Sequence, residues 1–74
     1  MAEIHLESPV TGVVWKVVAG PGTVEAAGDT ILIVESMKME ITVESPEDGT
    51  VTVLQVGEGD QVSEDDPLAT META

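Results

Sequence analysis

The 74-residue chain has no cysteine, arginine, tyrosine or phenylalanine, and a single tryptophan. Without cysteine there is no disulfide framework, thiolate nucleophile or zinc–thiolate site, which fits a reducing, cytoplasmic setting. Positive charge is equally scarce. Lys16 and Lys38 stand against 15 acidic side chains, for a formal net charge of −13. Such a surface repels phosphate backbones and anionic headgroups, so neither nucleic acid nor a membrane surface is an expected partner. Long apolar runs are missing too: Ile31 to Val34 is the longest, and Met1-Ala2-Glu3-Ile4-His5 is not a basic region followed by an apolar one. No membrane span or signal peptide is expected. A chain this short buries about 60% of its unfolded surface, which leaves little for an elaborate cleft. One domain over 1–74, monomeric when isolated, is the expectation.

The inventory of reactive groups is thin. His5 is the sole histidine, without a partner for a nucleophile dyad or serine triad. Ser8, Ser36, Ser45 and Ser63 have turn or spacer explanations. Glu64-Asp65-Asp66 lacks the spacing of a calcium loop and reads as a solvated acidic face. Gly20-Pro21-Gly22 is a turn rather than a phosphate cradle, since no helix pattern or P-loop lysine follows it. Neither a catalytic residue nor a metal ligand is predicted.

What is present is a repeat. Laying residues 3–37 over 40–74, a shift of 37, aligns Glu3/Glu40, Ile4/Ile41, Glu7/Glu44, Ser8/Ser45, Pro9/Pro46, Gly12/Gly49, Val14/Val51, Gly20/Gly57, Gly22/Gly59, Asp29/Asp66 and Glu35/Glu72. These 11 identities in 35 pairs compare with about two or three by chance at residue frequencies of roughly 5–7%. Two copies are too few for a solenoid but suit two half-domains paired about a pseudo-twofold axis. Valine and isoleucine dominate, Gly, Pro or Asp recurs every several residues, and no long 3.6-period stretch occurs. Strands are predicted at Ile4–Leu6, Val13–Val18, Ile31–Glu35, Met39–Val43, Thr50–Val56 and Leu68–Met71, with short ones around Val24 and Val62. The predicted fold is all-β: a flattened barrel or sandwich of two four-stranded antiparallel sheets with internal pseudo-twofold symmetry.

One segment departs from this punctuation. Residues 31–43 contain no Gly, Pro, Asn or Asp, although a strand runs about 5–6 residues. The seam between the repeats falls at Met37-Lys38-Met39, so a turn belongs there. A two-residue hairpin favours Asn-Gly or Asp-Gly because both central residues need positive φ. Met37-Lys38 is a costly choice for that geometry, and a costly turn marks Lys38 as deliberately presented. Lys16, mid-strand beside Trp15, reads instead as a stem lying on the sheet with its ammonium in water.

Glu35-Ser36-Met37-Lys38-Met39-Glu40 resembles the attachment motif of biotinyl domains of the biotin carboxyl carrier family, a small residue followed by Met-Lys-Met. The resemblance spans nearly the whole chain, from Ser8-Pro9 through the Gly-rich turns to Ser45-Pro46 and Gly49. Trp15-Lys16-Val17 is similar to a stretch in small stand-alone biotin/lipoyl attachment proteins. The resemblance implies that Lys38 is covalently biotinylated, with Met37 and Met39 flanking it for recognition, Ser36 in place of the commoner alanine, and Glu35 as a secondary recognition residue. It further implies biotin protein ligase, biotin carboxylase and carboxyltransferase as partners, most readily those of an acyl-CoA carboxylase. Glu25 occupies a position that is usually apolar, and a local shift using Val24 is the expected compensation. No insertion between Val18 and Gly22 provides a protruding thumb to contact the biotin. A lipoyl domain is the nearest rival, but its motif usually has an acidic residue where Met37 stands. A non-carrier acidic interaction module is the alternative from another class.

Overall fold

The computed structural model describes residues 2–73; Met1 and Ala74, at the ends of the expected 1–74 domain, lie outside the described residues. The chain forms β1 (Ala2–Glu7), β2 (Gly12–Val17), β3 (Val24–Glu25), β4 (Thr30–Ser36), β5 (Met39–Glu44), β6 (Gly49–Leu54), β7 (Gln61–Val62) and β8 (Pro67–Thr73). These build two antiparallel sheets, ordered β1-β8-β6-β3 and β5-β4-β2-β7. No helix forms among the described residues, so none is long and apolar enough to cross a membrane. The two-sheet all-β expectation holds.

Shifting the numbering by 37 carries β1 to β4 onto β5 to β8 and exchanges the sheets, so each sheet takes two strands from each repeat. Register repeats as well. Val14 lies opposite Val34 as Val51 lies opposite Met71, and in each case the next residue, Trp15 or Thr52, is the extra one of a bulge. Ile31 and Leu68 are likewise the extra residues where β4 meets β5 and β8 meets β1. A bulge re-aims the side chains around it. Ile31 joins the core cluster of Leu6, Ala19, Val51, Ala69 and Met71, while Leu68 joins that of Val14, Leu32, Val34, Val43 and Val62. Each sheet thus lends a side chain to the cluster beneath the other.

Pairs that match between the repeats have physical reasons. A Cβ on Gly12 would sit 2.3 Å from the Glu35 carbonyl oxygen, and one on Gly49 2.7 Å from that of Glu72; only glycine allows the backbones so close. Ser8 and Ser45 are buried, and their hydroxyls donate to the carbonyls of Val10 and Glu47 two residues on. Asp29 and Asp66 each accept a backbone N–H three residues earlier, from Ala26 and Ser63, the local turn chemistry that favours aspartate.

The compensation expected around Glu25 does not occur. Val24 is 77% exposed, whereas Glu25 is buried in the position that its counterpart Val62 fills with an apolar side chain. Opposite Thr50 and Gly49 the short β3 keeps its register; a one-residue slip would have turned every side chain over and broken that pairing. The aligned pair Glu25/Val62 in the repeat was the signal for this inward orientation. Burial holds the Glu25 carboxyl above its ordinary value of 4.5, and a hydrogen bond with the Asp29 side chain and that group's negative charge push the same way.

Candidate functional site

The chain is sharply reversed at the seam. Ser36 closes β4 directly opposite Met39, the first residue of β5, leaving Met37 and Lys38 as the two turn residues. Their φ angles are 52° and 66°. Both fall in the left-handed region, which costs a residue with a Cβ roughly 1–2 kcal/mol. Positive φ at both central positions is the requirement of the primed turns whose twist matches that of the flanking strands. The predicted strained two-residue hairpin is therefore present, and its tip is exposed: Met37 is 93% and Met39 64% solvent-accessible, with Lys38 between them also exposed.

The five residues singled out from the sequence are contiguous in this hairpin. Glu35 is exposed on β4, facing Val13 of β2 on one side and Glu40 of β5 on the other. Ser36 is half-buried and donates its hydroxyl to the Thr11 carbonyl at 2.8 Å, tying the base of the hairpin to the loop before β2. The commoner alanine could not make this bond. Thr11 itself was not anticipated. Its hydroxyl also accepts the Glu64 backbone N–H at 3.1 Å, mirroring the bond from Ala27 N–H to Asp48 at the related position in the other repeat. Thr11 and Asp48 differ in identity, so a search for matching residues passes over them. Gly12 completes the support by bringing β2 against the Glu35 backbone.

Lys16 lies elsewhere, on β2 opposite Ile33, and His5 is on β1 in the other sheet beside Thr70. Glu64 and Asp65-Asp66 form part of a turn in which Asp65 has a φ of 71° and Asp66 caps the backbone of Ser63. Lys38 is therefore alone among the basic side chains in being carried at a hairpin tip. The arrangement offers one flexible primary amine, projecting from a firmly held base, with two unbranched thioether side chains beside it. A carboxylic acid of modest size can be joined to such an amine without disturbing the core, which fits biotin's aliphatic carboxyl. Its ring would then be displaced from the sheet by the lysine and the valeryl chain.

The family model described as "Biotin-requiring enzyme" matches residues 8–71. The pyruvate carboxylase of Bacillus subtilis (strain 168) is 39% identical over 70 residues, covering 95% of this chain and 6% of that enzyme. The chain thus spans a small fraction of the length of such relatives. Among solved structures, a single-chain, multi-domain long-chain acyl-CoA carboxylase superposes with a TM-score of 0.92 at 28% identity, over 97% of this chain and 7% of that one. The lipoyl domain of the 2-oxoglutarate dehydrogenase complex from Azotobacter vinelandii has a TM-score of 0.82 at 22% identity, covering 95% of this chain and 96% of the other, a likeness of fold.

Proposed function

Since the chain belongs to the biotin-requiring enzyme family, we propose that Lys38 is its covalent biotin attachment site and that residues 1–74 form one carrier domain. The domain is a biotin carboxyl carrier of biotin-dependent carboxylases, with biotin as cofactor; it carries and does not catalyse. The observation that supports Lys38 is the strained Met37-Lys38 turn, both residues at positive φ, which exposes the amine at the seam of the two repeats.

Each residue of the hairpin then has a part. Lys38 Nζ forms an amide with biotin's carboxyl carbon, which loses its activating group, and the formal charge moves from −13 to −14. Met37 and Met39 present adaptable apolar surface to the enzymes that handle the tip. Ser36 and Thr11 fix the direction of the hairpin, and Glu35 supplies a negative group at its base. Bound biotin supplies the chemistry of carboxyl uptake and release. Tethering it to this domain turns a bimolecular encounter into one at an effective concentration that reaches millimolar. The partners are biotin protein ligase, which loads Lys38, and the biotin carboxylase and carboxyltransferase between which the carrier moves, in the cytoplasm. We assign an acyl-CoA as the carboxyl acceptor, in keeping with the structural match to an acyl-CoA carboxylase.

Intact mass after co-expression with a biotin ligase tests the assignment. Wild type and Lys16→Arg gain the mass of one biotin, and Lys38→Arg gains nothing. A parallel co-expression with a lipoyl ligase separates the rival carrier: a gain in that experiment alone replaces the assignment. No gain with either ligase leaves Lys38 without a carrier role.

A further inference from the structure

The two repeats provide an internal control for surface composition, since positions related by 37 share strand, register and bulge. In the sheet without the hairpin, Thr50 on β6 is half-buried and Thr52 exposed, while Thr70 on β8 is buried beside His5, all three outside the core clusters. The related positions on the Lys38 sheet hold Val13, Trp15 and Ile33. Trp15 is 49% exposed, Val13 is exposed and Ile33 is half-buried. The exchange runs the other way at Lys16, which pairs directly with Ile33, and at Gln61, where the other repeat has Val53 and Val24. Because threonines serve at 50 and 52 in the same scaffold on the other sheet, the packing of this fold does not require apolar groups at 13 and 15. A half-exposed indole is also costly to leave in water, given how much apolar area a tryptophan can bury.

The charges around this patch follow the same contrast. Glu35 and Glu40 lie directly opposite each other on β4 and β5, a like-charge pair that destabilises a sheet. The related pair, Glu72 opposite Glu3, has His5 Nε2 3.3 Å from Glu3 Oε1. On the Lys38 sheet Thr42 takes the place of His5, and among the described residues no lysine lies within 4.0 Å of a carboxylate. On the far side of β2, the Glu58 carboxylate accepts the Val17 backbone N–H at 3.1 Å. An apolar centre, with Lys16 directly opposite Ile33, is thus bordered by carboxylates, none of which has a lysine within 4.0 Å among the described residues. It begins about four residues from Lys38, roughly 13 Å at the 3.3 Å rise of a strand.

We propose that this face, centred on Trp15 with Val13 and Ile33 and bordered by Glu35 and Glu40, is the docking surface for the enzyme that acylates Lys38. The complementary surface is an apolar socket for the indole, edged by lysine or arginine side chains. The inference rests on the carrier reading of Lys38. Reach selects the acylating enzyme over later partners: a bare lysine extends only a few ångströms beyond the turn, so whatever modifies it must cover the hairpin and the sheet behind it. Once the arm is attached, the domain can be held farther away.

Steady-state kinetics of a biotin ligase on the unmodified 74-residue chain test this. Trp15→Thr, which copies the residue already accepted at position 52, raises KM at least tenfold and leaves kcat within twofold, as expected for an aromatic anchor at an interface centre. Glu40→Gln raises KM about threefold and flattens its dependence on salt. Val53→Thr, on the other sheet, leaves both constants unchanged, and melting curves report whether each variant is folded. For a direct reading, the single tryptophan is replaced by fluorotryptophan in the Lys38→Arg background, and its resonance shifts on titration with ligase. An unchanged KM for folded Trp15→Thr overturns the proposal. So does a resonance that ignores the ligase and moves only in modified Lys38 protein, which assigns the patch to the attached group instead. Failure of the carrier reading is seen separately, as wild type that gains no biotin mass.

Discussion

Positions 25 and 62 occupy the same place in two copies of one core, yet one holds a carboxyl and the other an isopropyl group. Val62 belongs to an apolar cluster, whereas at Glu25 burial, helped by the neighbouring Asp29 side chain, raises the carboxyl above its ordinary value. The two ends of the repeat unit contrast in the same way. Ser36 and Met39 are joined by a strained turn, while the related Thr73 and Ala2 pair across β8 and β1 with no such turn between them. Features shared by the repeats, such as Gly12/Gly49, Ser8/Ser45 and Asp29/Asp66, make contacts that hold the scaffold. Features that differ are where one half carries a cost or a task that the other does not.

The largest expected effect comes from breaking a shared feature. Gly12→Ala forces a Cβ onto the Glu35 carbonyl and should cost about 3 kcal/mol, with Gly49→Ala costing about 2 kcal/mol because its clash is the milder. Urea unfolding of the pair measures both; equal, negligible losses would remove close approach as the reason for the matched glycines. Next is the hairpin. Replacing Met37-Lys38 by Asn-Gly relieves two left-handed residues and should add about 1.5 kcal/mol, several degrees in Tm for a domain of this size, while abolishing biotin loading. A Tm that stays level or falls would show that the turn carries no strain to relieve.

Glu25→Val makes the two cores alike and should stabilise the domain at neutral pH by about 1 kcal/mol through added apolar burial. It should also remove a pH dependence. The folded-state pKa of Glu25 is raised above 4.5, so the folded protein binds the proton more tightly than the unfolded chain. The resulting contribution is complete below pH 4.5 and fades as pH rises through the folded value. The wild-type Tm, followed from about pH 4 to 7 relative to the variant, should therefore fall; a constant difference would contradict the burial of this carboxyl. The smallest effect concerns Asp65, at φ 71° where its counterpart Gly28 has φ 91°. Asp65→Gly should add about 0.5 kcal/mol, since aspartate tolerates the left-handed region better than most residues, and thermal melting of the two proteins compares them.

Much of this was legible in the chain because local chemistry and the repeat agreed. The eight described strands lie where short apolar runs between Gly, Pro and Asp turns place them, and the hairpin at Met37-Lys38 follows from the seam. The boundaries moved by one or two residues, as at β6, which ends at Leu54 rather than Val56. The bulges at Trp15, Ile31, Thr52 and Leu68 were not legible, because an extra residue is defined by the partner strand and not by the strand that contains it. The same limit hid Thr11, whose role depends on Ser36 and Glu64, far away in sequence. At Glu25 the usual apolar residue at that position pointed to a local shift using Val24, whereas the kept register of β3 turns Glu25 inward as its counterpart Val62 is turned.

The interleaving of the strands has a consequence for a ribosome-bound chain. A nascent polypeptide that has emerged only as far as β5 already contains Lys38 and the residues of its turn. The sheet beneath still lacks β7 at its edge, and the cluster of Leu32, Val34 and Val43 still lacks Leu68 from β8. An enzyme that needs a formed hairpin on a finished sheet therefore has nothing to grip until β8 has been synthesised. A chain stopped short of β8 would present Lys38 on an unfinished sandwich.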